Sequence, residues 1–138
     1  MAQVEVRDEI DADVTKVWDL VSDFGGVNRI SPDIQSCEVE GEGIGAVRTI
    51  NTNGIIIQER LEGLDPVART FSYSMLEGPI PFKKYLANVK LEESGGGRTK
   101  INWAGSFEPA GMPEEQLCQL VEGIYRQLIA GIKAGVKA

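Results

Sequence analysis

The sequence predicts an α+β fold in which one curved antiparallel sheet of about seven strands wraps around a long C-terminal helix. Three observations predict it. From Pro113 to Val136 the chain reads PEEQLCQLVEGIYRQLIAGIKAGV. There Leu117, Leu120, Val121, Ile124, Leu128, Ile129 and Ile132 recur at the three- and four-residue spacing of one helix face. From Ile34 to Phe107, short alternating runs are broken by tight turn signals, so neighbouring strands pair antiparallel. A helix of about 20 residues spans about 30 Å and needs a sheet to cover its apolar stripe.

The elements follow in order. Gln3 to Ile10 alternates around Val4 and Val6 and reads as a first strand. Asp11-Ala12-Asp13 offers a helix N-cap, and Val14, Val17, Trp18 and Val21 share one helical face up to about Phe24. Gly25-Gly26 ends that helix, and a second short helix or turn at Val27–Ile30 stops before Pro32. Strands are expected at about 34–41, 45–52, 55–64, 69–77, 84–93 and 99–108. The breaks between them are Gly41-Glu42-Gly43, Asn53-Gly54, Leu64-Asp65-Pro66, Gly78-Pro79-Ile80-Pro81 and Ser94-Gly95-Gly96-Gly97. Pro113 suits the first turn of the last helix, Glu114 and Glu115 complement its positive end, and Lys133 sits near the other.

Composition narrows the function. The 138 residues fit one domain, 1–138, large enough to bury a core. A net charge of −7 argues against nucleic acid or an anionic membrane as the partner. No apolar run approaches membrane length, so no membrane insertion is expected. The charged, alternating start MAQVEVRDEID is unlike a signal peptide, which makes a cytoplasmic location the expectation. Cys37 and Cys118 form no CxxC or zinc pattern and read as free thiols in a reducing compartment. There is no histidine, the commonest general base and metal ligand, so neither a metal nor another cofactor is expected.

The order strand, two short helices, antiparallel strands, long terminal helix is the helix-grip order. In that order the chain resembles the START-like, birch-allergen-like superfamily (SRPBCC), most of all its bacterial polyketide cyclase/dehydrase and lipid transport branch. IDADVTKVWDLVSDFGGVNRISP, IQERLEGLD and INWAGSFEPAG with the helix after it carry the likeness, which spans essentially the whole chain. The resemblance implies a cavity between sheet and helix that accepts a small, largely apolar molecule. It does not extend to hormone sensing: the plant receptors carry a longer lid at the middle hairpin and a lysine where this chain reads Ile30-Ser31-Pro32. Metal-centred and Rieske-associated relatives need His or Cys ligands, and this chain has no histidine.

The cavity wall follows from strand phase. Asn53-Gly54 between alternating runs signals a two-residue hairpin, which fixes the register. Thr52 then faces Ile55, Ile50 faces Ile57, Arg48 faces Glu59 and Ala46 faces Leu61, all on the face assigned inward. The Arg48–Glu59 pair is either a polar fixture that orients a ligand or a cross-strand salt bridge serving register alone. On the next strands Phe71, Tyr73 and Met75 go inward, then Tyr85 and Ala87, then Trp103 and Gly105. Ala87 and Gly105 are small enough to leave space. Tyr73 and Tyr85 bring hydroxyls that reach the ion pair or a ligand carbonyl, or that simply meet backbone in the core. Leu120, Ile124 and Leu128 supply the helix side. Ile80 and Phe82 read as lid residues of the 78–82 loop, with Ile30 and Met112 as neighbours; the alternatives are a loop folded onto the core or a homodimer contact.

Three functions fit these residues. One is binding or transport of a small hydrophobic ligand such as a lipid, polyketide or isoprenoid-like molecule. Another is an enzyme of the polyketide cyclase, aromatase or dehydratase type, with Glu59 as acid or base, Arg48 as its charge partner or an enolate stabiliser, and Tyr73 or Tyr85 as hydrogen-bond donor. The third is a helper protein whose lid recognises another protein.

Overall fold

The computed structural model describes residues 1–78 and 81–137. Its elements are β1 (Ala2–Ile10), α1 (Val14–Val21), a 3-10 helix (Phe24–Arg29), β2 (Ile34–Glu40), β3 (Val47–Thr52), β4 (Ile55–Asp65), β5 (Thr70–Glu77), β6 (Phe82–Glu93), β7 (Thr99–Pro109) and α2 (Glu114–Gly135). The strands form one antiparallel sheet in the order β1-β7-β6-β5-β4-β3-β2. Hairpins connect β2 through β7 in sequence, and β1 closes on β7 at the far edge. Alternation decides the faces. Tyr85, Ala87, Val89 and Leu91 of β6 and Ile101, Trp103, Gly105 and Phe107 of β7 are buried, while the lysines and polar residues between them face out.

Two helix boundaries differ from expectation. α1 ends at Val21, not near Phe24, and Gly25-Gly26 lies inside the 3-10 helix. Both the Ser22 hydroxyl and its N–H donate to the Trp18 carbonyl, at 2.6 and 2.9 Å, which closes the last turn early. Pro113 sits at the N-cap of α2 and not within its first turn.

The phase of α2 also differs. Leu117, Val121, Tyr125, Ile129 and Ile132 face the core, whereas Leu120 and Ile124 are 44% and 38% exposed. The helix carries two adjacent apolar rows, 117-121-125-129 and 120-124-128, and the first of them packs toward β1 and β7. Gly131 marks the closest approach: a Cβ there would overlap the Ile30 carbonyl. Ile30 is therefore core beneath the helix.

β-Bulges bend the sheet beside the helix. The β4–β5 register shifts between Gln58 and Glu59 and again between Leu61 and Gly63. The β6–β7 register shifts between Lys83 and Leu86, where Lys84 takes a left-handed φ of 54°. That bulge turns Phe82 onto the same face as Tyr85, although strict alternation would separate them. Among the described residues, no helix is long and apolar enough to cross a membrane.

Candidate functional site

The site is built on the β3–β4 hairpin. Asn53 and Gly54 hold φ of 55° and 83°, as a two-residue turn of this hand requires, and the Asn51 side chain accepts from the Gly54 N–H at 3.1 Å. The resulting register pairs Arg48 with Glu59, Ile50 with Ile57 and Thr52 with Ile55, as expected. Ile55, at the hairpin tip, is exposed despite its inward phase.

Arg48 and Glu59 are 5% and 7% exposed, which makes them the only buried charged residues among those described. Arg48 Nε and Nη2 both donate to Glu59 Oε1, at 2.8 and 2.7 Å, and Nη1 donates to the Phe24 carbonyl at 3.1 Å. The guanidinium also lies over the rings of Phe24 and Tyr73, 4.2 and 4.9 Å from their centroids. The pair is thus internally matched, which offsets its desolvation. Glu59 Oε2 makes no hydrogen bond among the described residues.

Beside this pair is a pocket of about 200 Å³. β3 contributes Arg48, Ile50 and Thr52, β4 Ile57 and Glu59, β5 Tyr73 and Met75, and β6 Phe82 and Tyr85. α2 contributes Val121, Ile124, Tyr125, Gln127 and Leu128; Val27, Ser31, Asp33 and Ile34 complete the wall. Most of that lining is apolar. Asp33 and Gln127 are solvent-exposed, so they stand at its rim.

The tyrosine hydroxyls are arranged differently from expectation. Neither bonds to Arg48 or Glu59. Trp103 Nε1 donates to the Tyr73 hydroxyl at 3.2 Å, and the hydroxyls of Tyr85 and Tyr125 bond to each other. Arg48 meets the face of Tyr73 and not its hydroxyl. Burial pushes all three phenols above their ordinary range, and the Glu59 charge pushes each the same way. They remain protonated donors throughout the neutral range.

The structure gathers Arg48, Ile50, Ile57, Glu59, Tyr73, Met75, Tyr85, Phe82, Ile124 and Leu128 around the pocket. It places Leu61, Phe71, Ala87, Trp103 and Gly105 in the solid core instead, and leaves Leu120 on the outside of α2. Gly105 leaves no empty space: the Tyr125 hydroxyl occupies the position its side chain would take. Trp103 stacks on Tyr125 at 5.8 Å between ring centroids. Phe82 is not a loop residue; it opens β6 and stacks on Tyr85 at 5.0 Å. Met112 packs half-buried against the core. Ile80 lies outside the described residues. Tyr125, Val121 and Val27 were not marked by sequence reasoning as lining residues. Tyr125 was legible as the four-residue continuation of Leu117 and Val121 on the helix face. Burial pushes the Cys37 thiol up, away from the reactive thiolate form. Among the described residues, no cluster of three or more metal-ligating side chains occurs.

The family described as polyketide cyclase / dehydrase and lipid transport matches residues 1–137. Among solved structures, an uncharacterized protein from Bacillus thuringiensis is 27% identical, with a TM-score of 0.91 over 99% of this chain and 100% of its own. The protein XoxI from Bacillus cereus is also 27% identical, with a TM-score of 0.91 over 99% and 96%. Ara h 8.0201, at 22% identity and a TM-score of 0.81 over 97% and 96%, shows the birch-allergen-like helix-grip fold. No curated protein matches the chain. With its fold and nearly its full length matched, this chain belongs to the polyketide cyclase/dehydrase and lipid transport family of the START-like superfamily.

Proposed function

We propose that the protein binds a small, mostly apolar molecule between β3–β6 and the outer row of α2. The pocket beside a buried, internally matched ion pair is the observation that carries this reading. Its volume sharpens the expectation. Pockets for drug-sized ligands run from about 300 Å³, and a cavity of about 150 Å³ holds benzene. About 200 Å³ therefore suits a one-ring molecule or a short chain, and a long acyl lipid would need the pocket to widen. Native mass spectrometry of protein purified from its own cells tests this directly. A co-purifying, unmodified apolar molecule of roughly one ring's size supports it; protein that stays ligand-free, both as purified and in apolar probe titrations, contradicts it.

A second reading, an enzyme of the cyclase, aromatase or dehydratase type, is favoured by one observation. Glu59 brings a buried carboxylate with one unspent oxygen to the pocket wall. Under that reading Glu59→Gln abolishes turnover of the cognate substrate while binding stays near normal. Full activity in Glu59→Gln removes Glu59 as acid or base.

A further inference from the structure

The polar groups around the pocket have a defined remainder once their internal bonds are subtracted. Arg48 spends Nε and Nη2 on Glu59 and Nη1 on the Phe24 carbonyl, with two aromatic rings against its plane. Glu59 spends Oε1 and leaves Oε2. The Tyr73 oxygen accepts from Trp103, and its own proton has no acceptor among the described residues. One proton of the Tyr85–Tyr125 pair is spent within that pair. The wall thus presents one strong acceptor, Glu59 Oε2, beside several donors: the Tyr73 phenol, the second proton of the tyrosine pair and the two guanidinium N–H groups not yet spent. A group that satisfies the acceptor and a donor together must donate and accept. A hydroxyl does so without charge. A carboxylate ligand would bring a second negative charge beside Glu59 with only one buried cation to match two anions, which is costly in a dry site. An ether or ketone would leave Oε2 unserved.

Resting on the ligand-site reading above, we propose that the pocket selects a neutral one-ring molecule whose single polar group is a hydroxyl, donating to Glu59 Oε2 and accepting from the Tyr73 phenol. Phenols and small alicyclic alcohols are the chemical class. Arg48, on the same wall, holds Glu59 in place.

Calorimetric titration of the full chain with four probes of one body tests this: para-ethylphenol, para-ethylanisole, ethylbenzene and para-ethylbenzoate. A hydrogen bond to a charged acceptor predicts that para-ethylphenol binds at least about tenfold more tightly than para-ethylanisole. Para-ethylbenzoate binds more weakly than ethylbenzene. Tyr73→Phe, which keeps the ring and the ion pair, narrows the phenol-to-anisole gap. Equal affinity of phenol, anisole and ethylbenzene overturns the hydroxyl proposal but leaves the apolar ligand site standing. Para-ethylbenzoate as the tightest probe overturns it as well. Binding by none of the four overturns both.

Discussion

The two ends of the space between sheet and helix are filled differently. Toward β1 and β7, α2 presents Leu117, Tyr125, Ile129 and Ile132 against Val4, Val6, Ile101, Trp103 and Phe107, and every one of these side chains is buried. Even the gap over Gly105 is taken by Tyr125. Toward β3 and β4 the helix offers its edge row of Ile124 and Leu128, with Val121 and Tyr125 of the inner row at the boundary, and the sheet answers with a pocket and an ion pair. One helix with two apolar rows thus seals one half of the sheet and roofs the other loosely. The filled half is packed without a gap over Gly105, and the looser half holds the pocket proposed for a ligand.

Charge removal gives the largest expected contrast. Arg48→Met strands the buried Glu59 carboxylate and should cost about 3–5 kcal/mol in denaturant unfolding. Replacing both partners, Arg48→Met with Glu59→Leu, should recover most of that loss, because no unpaired charge remains. A double variant as unstable as the single one would show that the pair does more than neutralise itself.

Truncation of the helix rows follows. Ile129→Ala opens a cavity in the filled half and should cost about 2–5 kcal/mol. Ile124→Ala, at a position 38% exposed beside the pocket, should cost less than about 1 kcal/mol. Equal losses would mean that both halves are packed alike.

The smallest effect at neutral pH appears only in alkali. All three tyrosines of the chain have hydroxyls pushed above the ordinary phenol range by burial. The folded state favours their neutral form, so their contribution is complete below the unfolded phenol value of about 10 and is lost as pH rises beyond it. Tyrosinate absorbance should therefore emerge together with loss of the fold. A tyrosine that titrates normally in folded protein would show that its hydroxyl reaches water.

Much of this division was legible in the sequence, and the exceptions have physical causes. The Asn53-Gly54 turn permits one register, so Arg48 opposite Glu59 on the inner face followed from counting. Strand faces followed from alternation. The helix phase did not, because rows 117-121-125-129 and 120-124-128 are adjacent and both apolar; only the sheet chooses between them. Phe82 was misassigned because a bulge at Lys83–Leu86 breaks the period of two with no glycine to announce it. The partners of the phenols depend on three-dimensional packing of Trp103 and Tyr125, which no local pattern encodes.

The most direct measurement is a methyl NMR titration of the full chain with ethylbenzene. Shifts confined to Ile50, Ile57, Ile124 and Leu128, with Ile101, Ile129 and Ile132 unmoved, are the predicted result. Shifts centred on Ile129 and Ile132, or none anywhere, would contradict a sheet sealed at one end and hollow at the other.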